Sequence, residues 1–180
     1  YSDLLLMHWP HPRVPVEETI KAMADRRDDG LGSHLGVSNF TTAQFREARD
    51  VAESPLVTDQ VLYNPLKDQS DLHEYLTDHD RSLTAYSPLA RGALVEYEML
   101  ADIGSTYDKS APQVALRWLI QQERVVVIPK ATSPAHIRSN LAVFDFELTD
   151  REMRRIRDRT PGLRRRLRNR VPSVMRRLPV

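Results

Sequence analysis

Five short apolar runs occur along this chain, and each ends in polar residues and leads into a segment with helical spacing. The runs end at His8, at Ser38 and Asn39, at Gln60, at Tyr86 and Ser87, and at Lys130. Strands that alternate with helices predict βαβ units and a parallel sheet. Ligands bind beyond the carboxyl ends of the strands in such sheets, which is where these polar residues fall. The pattern therefore predicts part of a ligand-binding α/β enzyme.

Capping residues mark where several of the predicted helices begin. These positions are Thr41, Ser110, Ser133 and Thr149. Residues 88–109 have mixed polarity, and we expect them to form a loop over the ligand face. Pro161 and Gly162 are expected to end the last helix.

Length and composition limit the fold and the class of protein. The 180 residues fit one domain but are few for an eight-unit barrel, which typically takes about 250 residues. We expect neither a signal peptide nor a transmembrane segment, because no apolar run approaches the roughly 18 residues that span a bilayer. The sequence has no cysteine, which excludes disulfides and thiolate zinc sites. We therefore expect a cytoplasmic protein.

The net charge of +1 conceals a split along the chain. Residues 151–180 contain 12 arginines against one Glu and one Asp, whereas residues 1–150 contain 14 Lys and Arg and 23 Asp and Glu. We expect an acidic body over residues 1–160 and a basic tail over residues 161–180. The tail lacks interleaved aromatic residues, so we expect no nucleic-acid binding and no membrane binding.

The polar residues at the strand ends can each be explained without a ligand. His8 fits a hydrogen-bonded core histidine, and Ser38 fits ordinary turn chemistry. Gln60 fits a side chain that satisfies backbone groups, Tyr86 a core aromatic residue, and Lys130 a solvated charge. Their common position at one end of the predicted sheet favours a ligand site instead.

Taken together, these residue types suit three chemical groups. An amide group on a ligand needs donors and acceptors, which Ser38, Asn39 and Gln60 supply. Tyr86 offers a stacking face for a flat heteroaromatic ring. A phosphate needs a positive charge and a helix N-terminus, and Lys130 lies directly before the next predicted helix.

Four motifs give these positions a family resemblance. YSDLLLMHWP (1–10) resembles the motif of the fourth strand of the aldo-keto reductases, GVSNF (36–40) that of the fifth strand, and AYSPL (85–89) that of the seventh. The closing segment of the family is resembled by IPKAT (128–132) followed by Asn140 and FDFEL (144–148). The resemblance covers roughly residues 1–160. It implies part of a (β/α)8 barrel, namely strands 4–8 with their helices and a C-terminal helix.

The resemblance also implies roles in the reduction of an aldehyde or ketone by a nicotinamide cofactor, usually NADPH. His8 matches the histidine that orients the substrate carbonyl, and Trp9 is expected to line the substrate pocket. Tyr86 matches the tyrosine that stacks on the nicotinamide ring. The other matched positions are Ser38, Asn39 and Gln60 for the carboxamide, Ser87 and Leu89 for the pyrophosphate, Lys130 and Thr132 for the ribose 2′-phosphate, and Asn140 for the adenine.

One position departs from the family pattern. Many members carry an arginine where this chain has His136, and that arginine stacks on adenine and binds the phosphate. A histidine can stack, but it is mostly neutral at pH 7 and offers no bidentate fork. We expect NADPH because of Lys130, with a weaker preference over NADH.

The resemblance supplies only one member of the family's catalytic tetrad of Asp, Tyr, Lys and His, at His8. We expect about 90–100 further residues, carrying three more βα units, to supply the rest. The alternatives are a non-catalytic NADP(H)-binding module and a truncated pseudo-enzyme. Unpaired edges on the first and last strands predict self-association of this chain alone, and the complete protein is expected to be monomeric. We expect no metal site, because His8 and His11 lack a third ligand nearby in sequence.

Overall fold

The computed structural model describes residues 2–159, in which the chain alternates between strands and helices. The strands are β1 (Ser2–Met7), β2 (Gly32–Ser38), β3 (Leu56–Leu62), β4 (Ser82–Tyr86) and β5 (Val125–Ile128). The helices are α1 (Val16–Asp28), α2 (Thr42–Val51), α3 (Ser70–Asp78), α4 (Glu98–Ser105), α5 (Ala111–Ile120), α6 (Pro134–Leu141) and α7 (Asp150–Arg157), with one 3₁₀ turn at Ala90–Gly92. The basic tail predicted for residues 161–180 lies outside the described residues.

The strands form one parallel sheet in the order β1-β2-β3-β4-β5. Each strand therefore pairs with its neighbours in sequence, which is the order of a (β/α)8 barrel and not of a doubly wound sheet, where the strand order reverses. The prediction of a partial barrel is confirmed. Within residues 2–159 the outer edges of β1 and β5 have no strand beside them.

Capping residues set the helix starts as the sequence predicts. Thr41 and Thr149 each accept a hydrogen bond from the third residue of their helix, and the Gln44 and Glu152 side chains bond back to the capping residue. At Ser133 the hydroxyl accepts a bond from the His136 amide. These caps satisfy amides that would otherwise lack partners at the helix starts, and they fix where the loops of the carboxyl edge end.

The core lies between the sheet and the helices that cover one of its faces. It is built from strand residues such as Val37 and Leu83 and helix residues such as Phe45, Leu76 and Leu119, all fully buried. In contrast, three apolar residues on the outermost strands are exposed: Leu4, Val126 and Ile128.

Close packing between β1, β2 and β3 requires a glycine. A Cβ atom on Gly36 would lie 2.7 Å from Leu6 Cδ2 and 3.1 Å from the carbonyl oxygen of Thr58. Even an alanine would therefore force a shift in the strands just before the polar residues at the end of β2.

The prediction of a loop over residues 88–109 is wrong, because α4 forms inside that segment and packs against α5. Leu94, Leu100 and Ile103 are buried there, so the segment contributes to the core. Gly104 comes within reach of the chain just beyond the helix, where a Cβ would clash with the Lys109 carbonyl oxygen.

The last described helix is α7. α7 ends at Arg157, and Pro161 and Gly162, which were predicted to end it, lie outside the described residues. None of the helices within residues 2–159 is long and apolar enough to cross a membrane.

Candidate functional site

Asn39 is the centre of a hydrogen-bond network at the carboxyl edge of the sheet. Its Nδ2 atom donates to the His8 carbonyl oxygen at 3.0 Å and to Ser38 Oγ at 3.1 Å. Its Oδ1 atom accepts from the Tyr86 hydroxyl at 2.8 Å. Asn39 has a φ of 63°, a left-handed conformation that asparagine tolerates better than most residues. One side chain thus joins the ends of β1, β2 and β4.

The network also includes a fourth strand, β3, which takes part through the backbone of Gln60. The Gln60 carbonyl oxygen accepts from the Asn39 amide at 2.9 Å and from Ser38 Oγ at 2.6 Å. Within the described residues the Gln60 side-chain amide has no protein hydrogen-bond partner, and it is half-buried. This amide is therefore available to a ligand at the carboxyl edge.

His8 and Trp9 extend from the end of β1 beside this network. Both are exposed, and their rings meet edge to face with centroids 6.2 Å apart. The alternative of a buried core histidine is therefore wrong. Trp9 lines a cavity of about 420 Å³ together with Asn39, Tyr86 and Lys67.

A second cavity, of about 530 Å³, lies beyond the ends of β4 and β5. It is lined by two loop segments, Ser87, Pro88, Leu89, Arg91, Gly92 and Val95 from one and Pro129 and Lys130 from the other. Ser87 and Arg91 have positive φ values of 47° and 54°, and the Ser87 carbonyl oxygen accepts a bond from Asn64 Nδ2 at 3.1 Å. The fold thus brings Ser87, Leu89 and Lys130 together at one cavity.

The segment from Lys130 to the start of α6 is much more open. Lys130, Thr132 and His136 are exposed, and Lys130 takes part in none of the ion pairs among the described residues. Asn140 lies further along α6, half-buried in a mainly apolar cavity of about 340 Å³ that also contains Phe144. The structure therefore places Asn140 in a different cavity from Lys130, and Pro129 lines both cavities.

Three residues at the site were not predicted from the sequence. Asp59 is fully buried directly before Gln60, and burial raises its pKa from 3.8 to about 7. Asn64 holds the loop that carries Ser87, and Arg91 adds a second cation to the cavity at Lys130. Asn64 and Arg91 follow strand ends, which is the signal that could have revealed them. Asp59 gave none, since it lies inside a strand.

Tyr63, also near β3, belongs to the core and not to the site. Its hydroxyl donates to Gln122 Oε1 at 2.7 Å, and burial raises its pKa. Within residues 2–159, no group of three or more His, Cys, Asp or Glu side chains is arranged to hold a metal ion.

Comparison with known proteins gives consistent results. A family model described as the aldo/keto reductase family matches residues 1–159. Two proteins of Bacillus subtilis (strain 168) are similar in sequence. The uncharacterized oxidoreductase YtbE is 37% identical over 164 residues, covering 91% of this chain and 58% of the relative. The glyoxal reductase is 36% identical over 156 residues, covering 87% and 56%.

Solved structures show the same relationship. A putative 2,5-diketo-D-gluconic acid reductase B superposes with a TM-score of 0.86 at 41% identity, covering 89% of this chain and 57% of the other. A thermostable aldo-keto reductase, Tm1743, solved with the inhibitor epalrestat, gives a TM-score of 0.82 at 37% identity, covering 87% and 59%. The chain thus spans less than two thirds of the length of each of these proteins.

Proposed function

Because the chain belongs to the aldo/keto reductase family, we propose that it forms the NADPH-binding side of an enzyme that reduces aldehydes or ketones to alcohols. The observation that carries the proposal is the network around Asn39. It joins the ends of four parallel strands at one edge, with Lys130 following the fifth strand at the same edge.

The network suits the carboxamide of a nicotinamide ring. The Gln60 side chain offers a donor and an acceptor without losing a bond within the protein, and Ser38 and Asn39 hold that corner rigid. Tyr86 is fixed through its hydroxyl, so that its ring is oriented before a cofactor stacks on it. In a preformed site of this kind, little binding free energy is lost to the ordering of side chains.

The other end of the cofactor would meet the cavity at Lys130. Ser87 and Leu89 line it and would lie beside the pyrophosphate. The Lys130 ammonium forms no ion pair within residues 2–159 and suits the 2′-phosphate of NADPH. The exposed start of α6 adds Thr132 and His136 to this end, and the helix N-terminus favours a negative group. The preference for NADPH over NADH rests on these charges.

At the reacting centre, bound NADPH supplies a hydride to the carbonyl carbon. We assign to the His8 imidazole a hydrogen bond to the carbonyl oxygen, where negative charge builds in the transition state. Trp9 would form the wall of the substrate pocket beside it. The tyrosine, lysine and aspartate that the family uses for proton transfer are expected in further βα units of the complete protein. The glyoxal reductase among the relatives makes small dicarbonyl compounds the first substrates to test.

Lys130→Ala tests the cofactor assignment. The dissociation constants for NADPH and NADH are measured by fluorescence titration of the wild type, this variant and Lys21→Ala, an exposed lysine on α1 that serves as the control. We expect Lys130→Ala to weaken NADPH binding by about 10- to 100-fold, the range for a hydrogen bond to a charged group, and to change NADH binding little. Equal losses for both nucleotides would refute the role of Lys130.

The turnover assay separates an enzyme from a non-catalytic binding module. Oxidation of NADPH by the complete protein is followed with glyoxal present and absent. Consumption that depends on glyoxal supports the enzyme, whereas tight NADPH binding without turnover of any of a panel of aldehydes and ketones supports the binding module.

A further inference from the structure

A buried carboxyl group lies directly beneath the network around Asn39. Asp59, on β3, is fully buried, and its Oδ2 atom has no hydrogen-bond partner among the described residues. Its register partners on the neighbouring strands are Val37 and Leu83, which are also fully buried and apolar. A carboxyl group in such surroundings is costly, and an apolar residue of the same shape would be cheaper.

The contact that Asp59 does make leads to the site. Its Oδ1 atom accepts a long hydrogen bond, 3.5 Å, from the backbone amide of Phe40, which is itself buried. Phe40 directly follows Asn39, the residue in the left-handed conformation at the centre of the network. The carboxyl group therefore binds the turn at Phe40, the residue that directly follows Asn39.

Asp59 and Gln60 hold this turn through different groups, one through its side chain and the other through its backbone carbonyl oxygen. The Gln60 carbonyl oxygen binds Ser38 and Asn39 at the carboxyl edge, while the Asp59 side chain points to the helix side and binds the next residue, Phe40. Two consecutive residues of β3 therefore bind three consecutive residues of the turn, Ser38 to Phe40.

We propose that Asp59 is a positioning residue, which fixes the turn at residues 38–40 and so orients the amide groups that hold the nicotinamide carboxamide. This inference rests on the proposed function, because it needs a nicotinamide cofactor at the carboxyl edge. Asp59 does not touch the cofactor. It acts through the Phe40 amide and the backbone of Asn39.

Two substitutions separate the hydrogen bond from the bulk of the side chain. Asp59→Asn keeps the branched shape and an acceptor oxygen, whereas Asp59→Leu keeps a similar shape and removes the acceptor. Two probes separate the ends of the cofactor: NADPH, which carries the nicotinamide, and 2′,5′-ADP, which carries only the adenine end and its phosphates. Dissociation constants for both are measured with the wild type and the two variants.

We expect Asp59→Leu to weaken NADPH binding by about fivefold or more, since one buried hydrogen bond is lost, and to leave 2′,5′-ADP binding within about twofold. Asp59→Asn should restore NADPH binding to within about threefold of the wild type. The inference is overturned if Asp59→Leu binds NADPH as the wild type does, if it loses both probes equally, or if Asp59→Asn binds NADPH as weakly as Asp59→Leu.

Hydrogen exchange without any nucleotide keeps the inference testable if the proposed function fails. A wild type that binds neither probe refutes the NADPH site, and the role of Asp59 in orienting it, but not the clamp on the turn. In Asp59→Leu the amides of residues 38–41 should then exchange faster than in the wild type, with those of β5 unchanged. Unchanged exchange at residues 38–41 would refute the clamp as well.

Discussion

The two ends of the proposed cofactor site are built in different ways. At the nicotinamide end, Asn39 forms three side-chain hydrogen bonds within the protein, and Ser38 and Asp59 are buried. At the phosphate end, Lys130 and His136 are exposed, and the bond that caps α6 is local.

This difference separates stability from binding. Residues of the nicotinamide end hold strands together in addition to their proposed role in binding, so their loss costs folding free energy. Residues of the phosphate end contribute mainly charge, so we expect their loss to weaken the proposed binding of a phosphate and to leave the fold intact.

The largest expected effect comes from comparing an alanine substitution at each of the two ends. Asn39→Ala removes three hydrogen bonds and places alanine at a positive φ, which should cost about 3–5 kcal/mol of unfolding free energy. Lys130→Ala, at the phosphate end, should cost less than about 1 kcal/mol. Urea denaturation of both variants measures this, and similar losses in the two would refute the distinction between the ends.

The next effect concerns the buried carboxyl group. Folded Asp59 keeps its proton up to a pKa of about 7, whereas the unfolded chain loses it near 3.8, so the folded state binds the extra proton between these values. The contribution of Asp59 to stability is therefore fully present below about pH 4 and is lost as the pH rises through about 7. This contribution to the free energy of unfolding amounts to about a few kcal/mol at most.

Asp59→Asn removes this dependence. Relative to the wild type, the variant should gain stability between pH 5 and pH 8 by on the order of 2 kcal/mol. Urea denaturation at several pH values measures the difference. A difference that stays constant over this range would show that Asp59 titrates normally.

The smallest expected effect is a gain at the phosphate end. His136→Arg places a permanent, bidentate cation at the start of α6, and we expect it to tighten NADPH binding by several-fold while NADH binding and the unfolding free energy change little. Fluorescence titration and thermal unfolding check both parts. An equal gain for NADH would assign the effect to stacking on adenine and not to the phosphate.

The sequence predicts the strands and most helices of this fold because their signals are local. Apolar runs that stop at polar residues predict the strands, and the pairs Thr41 with Gln44 and Thr149 with Glu152 predict two helix starts. α4 was missed because its buried residues, such as Leu100 and Ile103, are few and lie in a segment of mixed polarity.

The network around Asn39 could not be predicted, because it depends on the register between strands. A shift in the pairing of β2 with β3 between Leu35 and Val37 sets Ser38 opposite Gln60. Without that one-residue shift Ser38 would lie opposite Asp59. The side chains of Asp59 and Gln60 would then each lie on the other face of the sheet relative to the side chains of β2. No local pattern in the sequence announces such a shift.

The most direct test of the account is hydrogen exchange of the protein with and without saturating NADPH, read at individual backbone amides. We predict slower exchange in the bound state at the turns that follow β1, β2 and β4 and at residues 130–137, with α1 and the outer face of α2 unchanged. Slowing that is confined to other parts of the chain, or absent although NADPH binds, would contradict a cofactor site formed by the carboxyl ends of these strands.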